Sequence, residues 1–432
     1  MNVVRPHVSG LDAASRTLWI RLGTFESSFG VALVGDVCSG GGVTRRALTR
    51  HIRGLLDQGV LEPNGIHRYR LSDSARQVAR SELEQTGQYP GQRDKHLAAF
   101  LALALRAELE WRGPRQAAWL LTIERSIEDF RAAFSWSWVR EPSSGLRLAS
   151  ALWFYWLLRG GAAEGRALLE QGLSANVGES EVLSRALNES GWLAYATGDA
   201  QAGQARLEDS LRIARELGDG RLTAHALTRL GVTHASRREV AAPLIQEALS
   251  ISRASGDRVG TYFALHELAQ LAYGDAEYPE ARRLHEEALI LKREQGDKWH
   301  IAFSAYWLAI LDRRDGDAAS AEQHLVECWR IRQELGERRG MAMCVEVLAW
   351  LASDRSEYDV AARLLGAAES FRAEVGATLG GAQIGDHAAA ETLVKGHLGL
   401  NAYHVEFENG RLMTPKETIV VAVRHRIRGL EP

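Results

Sequence analysis

Arg293-Glu294-Gln295-Gly296-Asp297 closes one segment of the chain, and three similar phrases close others: Arg215-Glu216-Leu217-Gly218-Asp219, Arg253-Ala254-Ser255-Gly256-Asp257 and Gln333-Glu334-Leu335-Gly336-Glu337. Their last residues stand 38, 40 and 40 positions apart. Working outward from each phrase, small residues fall at matching places. One series is Gly191, Gly231, Ala269, Ala309 and Ala349; a second is Gly203, Ala241, Ala281, Ala321 and Ala361; a third is Ser210, Ala248, Ala288, Cys328 and Ala368. Every series steps by 40 except for one step of 38, which brackets His234–Val240. One two-residue deletion in a single inter-helix turn accounts for all three.

Each unit holds two segments with apolar residues at i, i+3, i+4 and i+7. In the fourth, Ala302, Ala305, Tyr306 and Ala309 lead to the turn Asp315-Gly316-Asp317, and Ala321, Leu325 and Cys328 line the returning helix. Small residues recur where two helices approach closely, because a large side chain there prises a hairpin apart. A single hairpin cannot bury its own apolar face, so neighbours stack into an α-solenoid. The pattern resembles the 40-residue form of the tetratricopeptide repeat (TPR). A leucine–small pair appears as Leu230-Gly231, Leu268-Ala269, Leu308-Ala309 and Leu348-Ala349, with Ser190-Gly191 departing from it. A weaker hairpin, Leu146–Leu173, carries Trp153 and Trp156 and turns at Gly160-Gly161. The solenoid is expected over 146–376.

Residues 1–80 read differently. Ser15–Phe25 is apolar at helical spacing, and Ser39-Gly40-Gly41-Gly42 precedes a basic helix, Val43–Gln58, with Gly59 as its C-terminal cap. Val60-Leu61 and Tyr69-Arg70-Leu71 flank Pro63-Asn64-Gly65, a β-hairpin signal. Helices followed by such a hairpin suggest a winged helix. A helical connector (81–145) leads to the solenoid. Beyond Gly376 the repeats fade into a helical cap (377–432), where Thr414-Pro415-Lys416-Glu417 is a capping box opening a last helix to about Arg426. The expected fold class is mainly α: a small winged-helix domain, an α-helical TPR-like solenoid and a C-terminal helical cap.

The 432 residues are 46% apolar and 25% charged, ordinary for soluble globular protein. The longest nearly unbroken apolar stretch, Leu148–Leu158, is too short to span a membrane, and the first ten residues lack a secretion signal. Three cysteines without a CxxC pair argue against a disulfide framework or a structural zinc site, so a reducing cytoplasm is the expected home. Charge is uneven. Residues 1–80 hold eleven arginines, no lysine and six acids, a net of +5; the remainder holds 41 basic and 49 acidic residues, a net of −8. A basic head on an acidic body fits a head that touches an anionic partner, or an internal contact between the two parts.

Taken together, the chain resembles the C-terminal part of large bacterial signal-transduction ATPases with an NB-ARC-like nucleotide domain, a winged helix and a TPR sensor. Many of these are labelled LuxR-family or antibiotic-regulator-type transcriptional regulators. The motifs carrying the resemblance include Arg21-Leu22-Gly23-Thr24-Phe25, Ala75-Arg76-Gln77-Val78-Ala79, Arg112-Gly113-Pro114, Glu128-Asp129-Phe130-Arg131-Ala132-Ala133, Ala361–Ala368 and Glu408-Asn409-Gly410-Arg411-Leu412. It covers residues 15–425. None of the five lysines (Lys95, Lys292, Lys298, Lys395, Lys416) follows a glycine, so no phosphate loop is present and no nucleotide cofactor is expected. A second helix-turn-helix after the capping helix, found in some members, is also missing. The resemblance implies the sensor end of a switch whose NB-ARC-like ATPase is a possible partner domain or chain.

No catalytic constellation stands out. His266-Glu267-Leu268-Ala269-Gln270 misses the HExxH pattern at its second ligand, and Gly178-Glu179-Ser180-Glu181-Val182 misses the nucleophile elbow at its second glycine. The basic residues Arg45, Arg46, Arg50, His51 and Arg53 fit a major-groove helix, with Arg68 and Arg70 on the wing placed to hold phosphates. A solvated basic face is the alternative. In TPR stacks the first helix of each hairpin lines a concave groove. Counting from the leucine–small pair places Asn188, Trp192 and Tyr195 there, then His225 and Thr228, then Phe263, His266, Gln270 and Tyr273. Phe303, Tyr306 and Arg313 follow, and last Met343, Glu346 and Trp350. Aromatic groups mixed with a few polar ones suit a binding groove for a peptide, a protein or a small effector. The alternative for each is core packing between hairpins. The expected function is therefore a non-enzymatic regulator in which the solenoid senses a ligand and the winged helix responds; its rival is a protein-binding scaffold with no affinity for DNA.

Overall fold

The structure is a computed structural model, and it describes residues 10–175, 180–377, 379 and 381–423. In chain order the elements are α1 (Ala13–Leu22), β1 (Phe29–Gly30), α2 (Val31–Cys38), α3 (Leu48–Asp57), β2 (Leu61–Pro63), β3 (Arg68–Leu71), α4 (Asp73–Gln85), α5 (Tyr89–Glu110), α6 (Gln116–Glu124), α7 (Ile127–Arg140), α8 (Pro142–Ala151), α9 (Trp153–Leu158), α10 (Ala162–Leu173) and α11 (Glu181–Ala196). There follow α12 (Ala200–Glu216), α13 (Gly220–Thr233), α14 (Arg238–Ser255), α15 (Arg258–Gly274), α16 (Tyr278–Gln295), α17 (Lys298–Arg314), α18 (Ala318–Leu335), α19 (Arg338–Asp354), α20 (Tyr358–Glu374), α21 (Gly381–Leu398), α22 (Leu400–Arg411) and α23 (Pro415–Val423). The protein is mainly α-helical, with TPR-like helical repeats. No helix among the described residues is long and apolar enough to cross a membrane.

Two compact units share the chain. The first comprises the described parts of Met1–Glu110, Ala118–Leu157 and Gly161–Gly198; the second takes Trp111–Ala117, Leu158–Gly160 and Asp199–Pro432. In the first, β3 is the central strand of a three-stranded antiparallel sheet of order β1-β3-β2. Leu48, His51, Ile52 and Leu55 form the buried stripe of α3, at i, i+3, i+4 and i+7. The basic helix expected from Val43 begins later: Arg45–Ala47 is a 3₁₀ turn, and α3 starts at Leu48. The glycine loop before it is pinned, since Gly40 and Val43 exchange backbone hydrogen bonds and Arg21 Nη1 donates to the carbonyls of Cys38 and Gly40 at 2.8 and 2.6 Å. Asp129 holds this region to the helices that follow it. Its carboxylate is buried and accepts from the backbone N–H of Glu26 (2.8 Å) and Ser27 (3.0 Å), with His96 Nε2 at 3.0 Å. Phe25 and Phe100 pack on His96, Phe25 also on Phe29, and Phe100 on Phe130.

The repeated phrase of the second unit has a physical reading. Gly296 sits at φ +75° and reverses the chain after α16, a conformation a side chain resists, and Asp297 caps the N-terminus of α17. Gly218, Gly256 and Gly336 take the same left-handed conformation, followed by the caps Asp219, Asp257 and Glu337. Each phrase is thus a helix stop joined to a helix start. At the small-residue positions Ala281, Ala321 and Ala361 are fully buried, and a Cβ added to Gly231 lands 2.4 Å from Ile245. The short repeat differs from the expectation in one detail. The turn between α13 and α14 has four residues against three in the later hairpins, whereas α13 has 14 residues against 17 in α15, α17 and α19. The deletion shortens a helix, because the turn must still carry the reversal.

Exposed ion pairs join successive second helices like rungs: Arg215–Glu247 at 2.7 Å, Arg253–Glu287, and Arg293–Glu327 at 2.8 Å. Arg258–Glu294, Lys298–Glu334 and Arg338–Glu374 join first and second helices within hairpins. At the far end, α22 packs on α20, and α23 on α19 and α20. The helix expected to reach Arg426 is described as far as Val423; the rest lies outside the described residues, as do Gly178 and Glu179 of the elbow-like stretch.

Candidate functional site

The residues expected to line a groove fall into three groups. In the first unit, Trp192 and Tyr195 stack at 5.7 Å between centroids, half-buried on α11, and Asn188 is buried on the same helix. A second group packs between hairpins. Phe263 contacts His225 and His300, His266 meets Phe303, and Arg332 lies over the Phe303 ring at 4.2 Å. Thr228 donates to Ala224 O within its own helix, and Gln270 donates to Glu267. Met343 is half-buried against the apolar core.

The third group meets a helix. Gln383 Nε2 of α21 donates to Tyr306 Oη at 2.6 Å; Asp386 accepts from Arg313 Nη1 at 3.3 Å and from the Tyr273 hydroxyl at 3.4 Å, with Arg314 Nη1 at 3.6 Å. His387 Nδ1 lies 2.5 Å from Glu346 Oε1, which also accepts from Trp350 Nε1 at 3.2 Å, and Arg372 pairs with the other carboxylate oxygen. Arg313 lies over the Trp350 ring at 5.5 Å and is braced by Asp354. Five of the expected groove residues (Tyr273, Tyr306, Arg313, Glu346 and Trp350) thus converge on one surface of the first helices, and that surface holds α21. The hydrogen bond from His387 to the Glu346 carboxylate raises the His387 pKa, against burial, and favours the imidazolium.

Sequence reasoning did not anticipate the buried polar cluster beneath α15, α16 and α17. Asp297 is fully buried and accepts from Gln116 Nε2 (2.8 Å), Tyr262 Oη (2.6 Å) and the His300 backbone N–H (3.3 Å), with His300 Nδ1 at 2.7 Å. Burial pushes its pKa up, but His300, Tyr262 and Arg112 together hold it below the usual carboxylate value. Lys292 is fully buried, donates to Ser304 Oγ at 2.8 Å, and has its pKa pushed down to about 7 by burial. Burial drives His266 and His285 well below the ordinary imidazole value.

Lys292 gives a pH dependence whose sign follows from linkage. The unfolded ammonium titrates at 10.5 and the folded one at about 7, so the unfolded chain binds more protons across that window. Stability therefore rises with pH between about 7 and 10.5, by up to about 1.4 kcal/mol per unit. Below pH 7 the cost of the buried charge is fully present. Lys292→Met is expected to stabilise the protein most at pH 6 and progressively less toward pH 10, read as the shift in urea midpoint at each pH. An equal gain at both ends contradicts the assignment.

The residues expected to touch nucleic acid also separate. His51 is buried with Nδ1 2.8 Å from Ser15 Oγ; Arg45 pairs with Asp36 at 2.5 Å and Arg70 with Glu62 at 2.8 Å. Arg68 bonds Ser28 through Oγ and the backbone carbonyl. Arg46, Arg50 and Arg53 are exposed on the 3₁₀ turn and α3.

Parts of the chain are similar to known proteins. A family model described as anaphase-promoting complex subunit 5 matches residues 174–235 and 261–315. The "Putative HTH-type transcriptional regulator Rv0890c" of Mycobacterium tuberculosis is 30% identical over 266 residues, which are 57% of this chain, and Mb0914c of Mycobacterium bovis matches equally. The chain spans 29% of the length of these curated relatives. Among solved structures, the signal transduction ATPase with a tetratricopeptide repeat sensor PH0952 from Pyrococcus horikoshii has a TM-score of 0.47 and 14% identity, over 92% of this chain and 63% of that one. A Rap protein complexed with competence and sporulation factor has a TM-score of 0.44 and 12% identity, over 72% of this chain and 99% of that one.

Proposed function

We propose that the chain is a non-enzymatic regulatory protein. In this reading a winged-helix-like head (1–80) and helical connector (81–145) precede a TPR-like solenoid (146–376) with a helical cap (377–432), and the solenoid binds a peptide or protein. The observation that carries the reading is the seating of α21 by Tyr273, Tyr306, Arg313 and Glu346: this surface already accepts a helix through side-chain hydrogen bonds. Similarity to putative HTH-type transcriptional regulators supports a role in transcription; a cytoplasmic location and an NB-ARC-like ATPase domain or chain as a further partner belong to the same proposal.

Direct DNA contact then falls to Arg46, Arg50 and Arg53. Mobility shifts of the full chain on duplex DNA across salt concentrations test it. Replacing the three by Ala is expected to flatten the slope of log affinity against log salt by about 2.7, at ~0.9 per phosphate contact. The engagement of Arg45, Arg68, Arg70 and His51 with protein groups favours the rival, a protein-binding adaptor. It is the outcome if wild-type protein shifts no DNA at any salt concentration.

A further inference from the structure

The seat of α21 is polar and narrow. Of its described side chains only Gln383, Ala390 and Val394 are buried, at i, i+7 and i+11, with Asp386 and His387 half-buried between them. Ile384 and Leu393 on the same helix are 55% and 42% exposed. α21 rests on Gln383, Asp386 and His387 through polar contacts and on Ala390, Val394 and half-buried Leu398 through apolar ones, with His397 stacked on Tyr358 at 4.2 Å and Glu391 accepting from the Tyr403 hydroxyl at 2.9 Å. With three of its described side chains buried against thirteen buried residues in α19, less apolar area holds it, at about 25 cal/mol per Å². The receiving surface, in contrast, is built: Tyr306, Glu346 and Trp350 are no more than 1% exposed, and Arg313 is braced by Asp354 and the Trp350 ring. A deeply built seat under an occupant that buries few of its own side chains is the arrangement of a displaceable internal ligand.

We propose that the surface formed by Tyr273, Tyr306, Arg313, Glu346 and Trp350 is a helix-receiving site for a partner protein, and that α21 is its resident, exchangeable occupant. The chemistry of the incoming helix is written in the contacts. One face carries a carboxamide, a carboxylate three residues later facing Arg313 and Arg314, and a base directly after it facing Glu346. A small residue then follows at the seventh position and a compact apolar one at the eleventh. This deepens the binding reading above by naming the kind of partner and what it must displace.

Tethering raises the local concentration of the resident helix to the millimolar range, so a free helix of equal intrinsic affinity competes poorly. The probe is a fluorescent synthetic peptide of residues 381–398, titrated into the full chain and into the full-chain Asp386→Arg variant, which sets an arginine against Arg313 and Arg314. The variant is expected to bind the peptide at least about tenfold more tightly than the wild type. Amide exchange in its own α21 should rise in parallel, with an unchanged far-ultraviolet spectrum. A peptide itself bearing Asp386→Arg should bind neither protein. Equal peptide affinity for wild type and variant overturns the proposal, and so does a variant that dimerises without taking up peptide. Peptide uptake alongside a failure to shift DNA leaves this site standing while the transcriptional reading falls.

Discussion

Asp297→Ala is expected to cost about 3–5 kcal/mol, the range for breaking a buried charged network by removing one partner. The carboxylate is fully buried and gathers Gln116, Tyr262 and both the side chain and backbone of His300. Its loss strands the Tyr262 hydroxyl, the Gln116 amide and the His300 ring where water does not reach, and each orphan adds its own desolvation penalty. Gln116 then loses its lock, although its Oε1 also accepts from Trp299 N–H at 2.9 Å. The comparison that gives the number meaning is Asp317→Ala. Asp317 caps α18 in the same way, accepting from Ser320 N–H at 3.0 Å, but in solvent, so only about 1 kcal/mol is expected there. Urea unfolding of both variants decides it. Equal losses would show that the cap alone, and not the buried network, matters at Asp297.

The second large effect lies at the α20–α22 crossing, where glycines face each other's backbone. A Cβ on Gly366 would stand 2.0 Å from Phe407 O, and one on Gly410 would stand 1.9 Å from Arg363 O. Side chains can swing aside; carbonyls of packed helices cannot. Gly410→Ala is therefore expected to cost about 3 kcal/mol or more and to loosen α22, seen as faster amide exchange over 400–411 and a lower melting temperature. Gly396 in α21 provides the opposite sign. A Cβ there meets nothing within 4 Å, so Gly396→Ala should stabilise by about 0.5–1 kcal/mol through helix propensity and a less flexible unfolded chain. If Gly410→Ala proved as harmless as Gly396→Ala, the close crossing would be wrong.

The solenoid was legible because its signals are local and repeated. A glycine that must turn left-handed, an acid that must cap and an alanine that must fit between helices recur every 40 residues, and each is forced by geometry. The crossing of α20 and α22 was half legible: Ala361–Ala368 and Glu408–Leu412 stood out as motifs, but only the fold brings Gly366 and Gly410 together. His51 was read with the basic face. Its spacing from Leu48 and Leu55 already placed it on the buried stripe, and burial outranked charge there. Asp297, Lys292 and His300 gave no site signal in the sequence, because the cluster is completed by Tyr262 from another helix and by Gln116, some 180 positions away. Helix α21 lies within the expected helical cap, but its seat on the first helices was not foreseen, because that seat is made largely of amide, acid and imidazole. Its apolar stripe is short, Ala390, Val394 and Leu398, so periodicity has little to register.

The rungs of arginine and glutamate along the second helices carry a mechanical consequence. Each exposed pair contributes at most about 1 kcal/mol and weakens as salt screens it, whereas the alanine-lined crossings beneath are indifferent to ions. Raising ionic strength therefore softens the spacing between successive repeats before it threatens any one of them. With rising salt the repeat array is expected to yield along its length, like a spring tuned by the medium, while every coil stays intact.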